Sequence, residues 1–191
     1  QLVQDENNEA WFRAAPGLKI VAPSTPADAK GMMKAAIRDD YPVLFMEHKG
    51  LYKEKGEVSE EEYVLPLNKA DIKKEGTDVS VITYGRMVHV ALEAAKALAD
   101  EGINIEVVDL RSISPLDEET ITGSVKKTGK AVIFHEARRN GGIGGEVAAI
   151  IAEQAFDSLK APIIRVTCPE VPANFPPTAA DLIAGVHKIC G

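Results

Sequence analysis

Short apolar runs alternate with longer amphipathic stretches along most of this chain. The apolar runs predict strands at 18–22, 42–47, 78–84, 103–110, 130–135 and 162–166. Apolar residues that recur three or four positions apart predict helices at 27–39, 86–100, 117–129, 146–156 and 178–189. This alternation is typical of a mainly parallel sheet covered by helices. The pattern therefore predicts an α/β protein in the order β-α-β, a polar gap, then β-α-β-α-β-α-β-α.

The polar gap suggests how the chain divides. Residues 52–76 are rich in Lys and Glu, apart from 63–67, and the charge run 57–62 predicts a solvated linker. The block after the gap is long enough to enclose its own sheet between two helical layers. The single β-α-β unit before it would leave a sheet edge and a sheet face uncovered. We therefore expect a partner chain, or a longer parent protein, to supply the rest; the lack of an initiating Met favours the second.

The composition and charge of the chain disfavour several classes of function. The chain has 191 residues, 45% of them hydrophobic, and 29 acidic residues outweigh 22 basic ones for a net charge of -7. Such a charge disfavours nucleic acid and anionic membranes as partners, and no apolar run reaches the ~20 residues that span a bilayer. The first ten residues do not resemble a signal peptide. Two cysteines, Cys168 and Cys190, are typical of a reducing compartment, the cytoplasm or a mitochondrial or plastid matrix, and we interpret both as inert.

A glycine-rich loop at 140–145 lies between a predicted strand and a predicted helix. Glycines there can let backbone N–H groups approach an anion at a helix N-terminus. The spacing of the glycines matches neither the G-x-G-x-x-G pattern nor a Walker loop with its lysine. Tight strand-to-helix packing is therefore the favoured interpretation of the loop. Arg138 and Arg139 precede the loop, where they either bind an anion or an acidic partner or are simply solvated.

Four histidines are candidates for acid–base chemistry. His48 and His135 end predicted strands, where open α/β sheets place their binding crevices, and each is next to a glutamate. Neighbouring strand residues point to opposite faces, so no hydrogen bond is predicted within either pair. His89 and His187 lie in predicted helices and are interpreted as packed or surface residues. The sequence contains no serine nucleophile elbow, metal-ligand spacing or paired-carboxylate motif.

Several strings of residues, in this order, resemble the β-subunit of the thiamine-diphosphate-dependent 2-oxoacid dehydrogenases, the pyruvate dehydrogenase type. They cover nearly the whole chain, and their joint occurrence is more specific than any one motif. The strings are EAWF at 9–12, PGLKIV at 16–21, PSTPADAKG at 23–31, AIRD at 36–39, EHK at 47–49, VDLRSISPLD at 108–117, HEA at 135–137 with the glycine loop, and RVT at 165–167.

The resemblance implies a fold and a function. Residues 1–60 would be the C-terminal half of a thiamine pyrimidine-binding domain, 61–76 a linker, and 77–191 a three-layer α/β/α domain like the transketolase C-terminal domain. The family decarboxylates 2-oxo acids, such as pyruvate or branched-chain acids, and passes the acyl group to lipoyl arms. Its thiamine diphosphate and magnesium lie between an α-subunit and the β-subunit. The implied partners are therefore the α-subunit, a second β-subunit and the lipoyl-bearing acyltransferase core.

The chain also departs from the family pattern. The glutamate that activates the cofactor's aminopyrimidine belongs to the half of the domain upstream of this chain. The family's catalytic histidine falls on Gln4, and an amide cannot exchange a proton near neutral pH. A short segment that relatives carry near 172–177 is missing. We therefore assign no catalytic and no cofactor-binding residue, and expect the chain alone to be inactive.

One site carries over by position. Some relatives hold a potassium ion, largely by backbone oxygens, at a helix end that matches Ala36, Ile37, Asp39 and Tyr41. Carbonyls left unsatisfied at a helix C-terminus suit such a hard cation. Tyr41 replaces the usual Asn, and the ordinary alternative is a helix end capped by water.

Two other functions stay open. One is a non-catalytic scaffold or small-anion-binding module that uses the glycine loop. The other is that the chain belongs to a related enzyme such as transketolase or deoxyxylulose-phosphate synthase. The strings at 135–137 and 18–31 argue against both of these enzymes.

Overall fold

The computed structural model describes residues 7–170 and 175–190. Within them the chain forms two sheets with helices on their faces. Two short 3-10 helices, Lys49–Leu51 and Phe156–Ser158, lie in the connections. The other elements, in chain order, are α1 (Glu9–Arg13), β1 (Lys19–Val21), α2 (Pro26–Ile37), β2 (Val43–Phe45), β3 (Asp71–Lys74), β4 (Val79–Thr83), α3 (Met87–Asp100), β5 (Ile105–Asp109), β6 (Ser112–Ser114), α4 (Glu118–Thr128), β7 (Ala131–Arg138), α5 (Gly144–Gln154), β8 (Ile164–Cys168) and α6 (Ala179–Cys190).

The larger sheet has the strand order β3-β5-β4-β7-β8, and all neighbours except β3 and β5 run parallel. Its central strands β4 and β5 are buried along their whole length, which is why they read as continuous apolar runs. The smaller sheet has the order β2-β1-β6, with β1 and β2 parallel and β6 antiparallel. Since β6 follows β5 directly, the second block contributes a strand to the first block's sheet.

Three clusters of buried apolar side chains, called cores below, hold these elements together. One core lies beneath α3 and α6 on one face of the larger sheet. A second core joins the other face, with α4 and α5, to Ile20 of β1 and to Ala22, which follows β1. A third, small core places Met32 of α2 against Val21 and Leu67. The second core makes the two sheets one packed body, because its side chains come from both.

The predicted α/β class, with a three-layer second block and a mostly parallel sheet, is confirmed. All six predicted strands and all five predicted helices are present with small shifts of their ends; α5, for example, begins at Gly144 rather than at 146. Sequence periodicity missed α1, β3 and β6. Each of these elements has five residues or fewer, too short to show a period.

The predicted linker at 61–76 packs against the fold. It contains β3, and Leu67 within it is buried. The Tyr63 hydroxyl donates a hydrogen bond to the Ala27 carbonyl at 2.9 Å, and Lys34 of α2 and Arg38 just after it form ion pairs with Glu62. The domain boundaries themselves stay a prediction. Across the described ranges, no helix is long and apolar enough to cross a membrane.

Candidate functional site

A cavity of about 360 Å³ lies where the carboxyl ends of parallel strands from both sheets meet. Pro23 follows β1, His48 follows β2, Tyr84 and Arg86 follow β4, and Glu136 lies near the end of β7. Open α/β sheets bind ligands at this edge, because chain connections leave a crevice there. The cavity is completed by Asn7, Glu9, Ala22, Met46, Glu47, Lys49, Gly85, Met87 and Pro176. We call this space the interdomain cleft.

An ion-pair cluster forms one wall of the cleft. Glu136 accepts from His48 Nε2 at 3.1 Å and from an Arg86 guanidinium nitrogen at 3.4 Å. Burial acts to raise the pKa of Glu136, but His48 and Arg86 outweigh it and hold that pKa below its usual value. His48 Nδ1 accepts the Gly50 N–H at 3.0 Å, which directs the remaining ring proton toward Glu136. Both ring nitrogens are therefore engaged, so His48 is held in one orientation.

Two further buried polar groups, Glu9 and Tyr84, line the cleft. Glu9 is 4% exposed and Tyr84 is 6% exposed. Among the described residues, neither the Glu9 Oε2 atom nor the Tyr84 hydroxyl forms a hydrogen bond of good geometry. Burial raises the pKa of Glu9, and burial together with the nearby Glu9 carboxylate raises the pKa of Tyr84. The cleft thus combines a charged, fixed cluster with two groups that favour their neutral forms, and it can hold a small polar ligand by hydrogen bonds.

The two histidines at the ends of predicted strands, His48 and His135, have different surroundings in the structure. His48 lines the cleft and pairs with Glu136 across the two blocks, not with its sequence neighbour Glu47. His135 is 1% exposed, and its Nδ1 lies 3.1 Å from the Ala137 carbonyl. Burial lowers the pKa of His135 to about 4, so this ring is neutral at physiological pH. His135 is therefore a packed side chain and not part of the cleft wall.

Close packing explains the glycine loop. A Cβ at Gly144 would lie 2.3 Å from His135 Nε2, and one at Gly142 would lie 2.4 Å from the Arg138 carbonyl oxygen. Gly141 has a φ of 72°, in the left-handed region that side chains disfavour. Arg139 is exposed, and a guanidinium nitrogen of Arg139 donates to the Arg165 carbonyl. These contacts support the packing interpretation of the loop.

The other two histidines lie outside the cleft. His89 in α3 places Nε2 2.7 Å from the Ser24 carbonyl, so it joins the two blocks. His187 in α6 is exposed and pairs with Glu101 at 2.7 Å. Neither is among the described residues that line the cleft.

The four potassium candidates lie at the end of α2, as the resemblance placed them. Ile37 and Tyr41 are 77% and 61% exposed. The Asp39 carboxylate is bound by Lys19 Nζ at 2.5 Å and by the Tyr41 N–H at 2.9 Å, and the Lys19 contact lowers its pKa. The Ala36 carbonyl accepts the N–H of Asp39 at 3.3 Å. Lys19 thus balances the charge of the Asp39 carboxylate, and the potassium site stays a prediction.

Gln4 and the segment 171–174 lie outside the described residues, so the structure does not test the replacement of the family's histidine or the missing segment. Within the described ranges, no three His, Cys, Asp or Glu side chains form a group that suits a metal ion.

Two family matches define the class of this protein. Residues 68–188 match the family "Transketolase, C-terminal domain", and residues 4–55 match "Transketolase, pyrimidine binding domain". The chain belongs to the transketolase C-terminal domain family, preceded by part of the pyrimidine-binding domain. The fold implied by the resemblance is thereby confirmed.

Individual relatives place the chain more narrowly. It is 53% identical over 173 residues to the 2-oxoisovalerate dehydrogenase subunit beta of Bacillus subtilis, which covers 90% of this chain and 53% of the relative. It is 53% identical over 163 residues to the pyruvate dehydrogenase E1 component subunit beta of the same organism, covering 85% of this chain and 50% of the relative. The resemblance to 2-oxoacid dehydrogenase β-subunits is confirmed by these relatives. The chain spans about half the length of the curated relatives it matches.

A third relative is also a β-subunit, and a solved structure shares the fold. An acetoin:2,6-dichlorophenolindophenol oxidoreductase subunit beta of Cupriavidus necator is 52% identical and covers 90% of this chain and 51% of the relative. A structure described as "Split gene transketolase, inactive beta4 tetramer" superposes with a TM-score of 0.80 at 30% identity, over 94% of this chain and 59% of the other.

Sequence reasoning missed Glu9, Tyr84 and Arg86. Tyr84 and Arg86 follow a predicted strand of the second block, where the crevice rule would have placed them beside His48. Glu9 carries no local signal, because its burial depends on packing of α1 against β1 and β6.

Proposed function

We propose that this chain supplies the C-terminal half of the β-subunit of a thiamine-diphosphate-dependent 2-oxoacid dehydrogenase complex, an oxidoreductase. The assembled enzyme would oxidatively decarboxylate a 2-oxo acid, pyruvate or a branched-chain acid, and transfer the acyl group to lipoyl groups. The observation that carries the proposal is the identity of 53% to two β-subunits of such dehydrogenases along about 90% or 85% of this chain.

The proposed role of this chain is mainly assembly. Thiamine diphosphate, when bound, supplies an electron sink for loss of carbon dioxide. We infer that it is held with magnesium by the upstream half of the pyrimidine-binding domain and by the α-subunit. This chain would contribute the wall of the interdomain cleft, where Glu136 fixes His48 and Arg86.

Other parts of the proposal concern partners and location. The partners would be the α-subunit, a second β-subunit and the lipoyl-bearing acyltransferase core. The compartment would be the cytoplasm of a bacterium, or the matrix of a mitochondrion or plastid in a eukaryote. By itself the chain would be inactive, because Gln4 replaces the histidine and the activating glutamate belongs to the upstream half.

Complementation tests this function. The 191-residue chain would be co-expressed with the α-subunit and the N-terminal half of the β-subunit of the Bacillus subtilis pyruvate dehydrogenase, and the heteromer measured by light scattering after gel filtration. We expect a stable heteromer. If the chain elutes alone at micromolar concentrations of all three components, the assembly role is wrong.

A pair of variants separates assembly from chemistry in the same heteromer. Gln4→His should raise pyruvate or 2-oxoisovalerate decarboxylation by at least ~100-fold, the usual contribution of a general acid or base. Gln4→Asn is the matched control and should leave the rate unchanged. A heteromer that forms but gains nothing from Gln4→His would contradict the catalytic part of the proposal and keep the assembly part.

The small-anion alternative has its own measurement. Calorimetric titration of the chain with inorganic phosphate would show saturable binding lost in Arg139→Ala if the glycine loop binds anions. Since Gly142 and Gly144 are explained by packing, we expect no saturable heat.

A further inference from the structure

Polar contacts between the two blocks converge on the start of α2. Ser24 Oγ donates to Asp109 Oδ2 at 2.5 Å, and the His89 ring nitrogen lies 2.7 Å from the Ser24 carbonyl oxygen. Asp28 is bound by Arg111 at 2.5 Å and by Lys73 at 2.8 Å. A backbone hydrogen bond lies beside these contacts, from the Ala22 N–H to the Arg111 carbonyl at 2.8 Å. These polar contacts add to the shared apolar core in joining the two sheets, and we call them the junction.

The charged groups at this junction do not balance. Three carboxylates, Asp28, Asp71 and Asp109, share two cations, Lys73 and Arg111. Asp109 is fully buried and Asp28 is 2% exposed, whereas Lys73 and Arg111 are about one-seventh exposed and Asp71 is 37% exposed. A fully ionised cluster therefore carries one excess negative charge, and two of its three carboxylates lie where water is largely removed. Buried excess charge is costly, and binding one proton removes it.

Asp109 is the member of the cluster with the weakest cation contact. Its nearest cation, Lys73 Nζ, is 3.8 Å away, whereas Asp28 has two cations within 2.8 Å. Its other contacts are hydrogen bonds from Ser24 Oγ and from the Arg111 N–H at 3.0 Å. The Ser24 hydroxyl can either donate to a carboxylate or accept from a carboxylic acid, so this contact is compatible with both protonation states. Burial raises the pKa of Asp109 to about 6.

The groups that face Asp109 come from every element around it. The start of α2 contributes Ser24 and Asp28, β3 contributes Asp71 and Lys73, β4 contributes Thr83 in register with Asp109, the turn after β5 contributes Arg111, and α3 contributes His89 through Ser24. Within this set, Asp109 is the fully buried carboxyl group, so its protonation changes the charge at the most enclosed position.

We propose that this cluster is a proton-linked latch between the two sheets, which binds one proton on Asp109 in mildly acidic solution and is weakened when that proton leaves. Ala22 and Pro23, immediately before Ser24, line the interdomain cleft, and so does Tyr84, immediately after Thr83. The latch therefore couples pH to the rigidity of the cleft walls. This inference does not rest on the proposed enzymatic function.

Amide hydrogen exchange of the 191-residue chain tests the latch. The readout is the protection factor of the Ala22 amide, corrected for the intrinsic pH dependence of exchange, at pH 5.0 and pH 7.5. In the closed form the junction contacts are made and the pKa of Asp109 is about 6. In the open form, in which the Ala22 amide can exchange, we take the ordinary aspartate pKa of about 3.9. These two values predict about tenfold weaker protection of the Ala22 amide at pH 7.5 than at pH 5.0. Asp109→Asn should abolish this difference, while Asp157→Asn, which removes an exposed carboxylate, should retain it.

A second variant tests the charge imbalance with Asp109 in place. Asp71→Asn leaves two carboxylates and two cations, so the difference in protection between the two pH values should shrink at least threefold. A difference that persists unchanged in either Asp109→Asn or Asp71→Asn would overturn the proposal.

A direct titration covers the case in which Asp109→Asn does not fold. The carboxyl ¹³C shift of Asp109 in the wild-type chain should titrate with a midpoint between about pH 5.5 and 6.5. A midpoint below pH 4.5 would show that Asp109 stays ionised throughout, and the latch would be rejected.

Discussion

At the scale of single residues, buried contacts around the β7–α5 turn show how little freedom individual positions have. Gly144 opens α5 against the ring of His135, and Gly145, the next residue, has only an Arg165 nitrogen at 3.7 Å from the place of a Cβ. The two neighbours therefore form a natural pair for testing the packing interpretation of the loop.

We expect Gly144→Ala to lower the free energy of unfolding by about 1–3 kcal/mol, because the new methyl group overlaps His135. Gly145→Ala should be neutral or raise stability by up to about 1 kcal/mol, since alanine favours the helix. Urea denaturation at pH 7 measures both. Equal losses in the two variants would contradict this account of the loop.

His135 should also contribute to acid sensitivity. Its pKa is lowered from 6.5 to about 4 in the folded chain, so the unfolded chain binds a proton first as the pH falls below 6.5. The folded state therefore loses about 2 kcal/mol from this group between pH 7 and pH 4.5. His135→Gln cannot titrate, so its unfolding free energy should fall less than that of the wild type over this range. Parallel urea titrations at the two pH values would disprove the assignment if both chains lose the same amount.

At the scale of elements, the residue that caps α4 also positions a neighbouring segment of the chain. Asp117 caps α4, where its carboxylate accepts from the Thr120 N–H at 3.3 Å, and it also accepts from the Ala70 N–H at 3.1 Å just before β3. These contacts and Lys69 outweigh burial and lower the pKa of Asp117. One side chain thus fixes both the start of α4 and the approach of the predicted linker to the sheet.

Asp117→Ala should cost about 1–2 kcal/mol of folding free energy, the value typical of a lost N-cap. Asp117→Asn keeps an acceptor oxygen and should lose less than half as much. Thermal denaturation followed by circular dichroism gives the comparison. A loss in Asp117→Asn as large as that in Asp117→Ala would mean that the charge, and not the cap geometry, matters.

At the scale of the whole molecule, the shared core predicts cooperative behaviour. Ile20 in β1 and Ile151 in α5 are both fully buried in the core that joins the two sheets. A fold held by one such core should not unfold one sheet at a time.

We expect fluorescence of Trp11, the single tryptophan, and far-UV circular dichroism to report one coincident urea transition. Ile20→Ala and Ile151→Ala should each shift that whole transition by about 2–5 kcal/mol. The exposed Ile37→Ala is the matched control and should shift it by less than about 0.5 kcal/mol. Two separated midpoints would show that the blocks fold independently.

Local signals in the sequence determined the α/β class, the order of the longer strands and helices, and several helix ends. Thr25 caps α2 and Gly129, in the left-handed region, ends α4, as residues within one or two turns can dictate. The residue strings also pointed to the right family. These signals work because periodicity and capping involve residues close together in the chain.

Tertiary structure decided which side chains meet. His48 pairs with Glu136, and Ser24 with Asp109, across 88 and 85 positions of the chain. The short strands β3 and β6 form only because the larger sheet and β1 each offer an open edge. The cleft and the junction depend on how strands cross and pack, and no local pattern encodes that, because burial and pairing are properties of the folded chain as a whole.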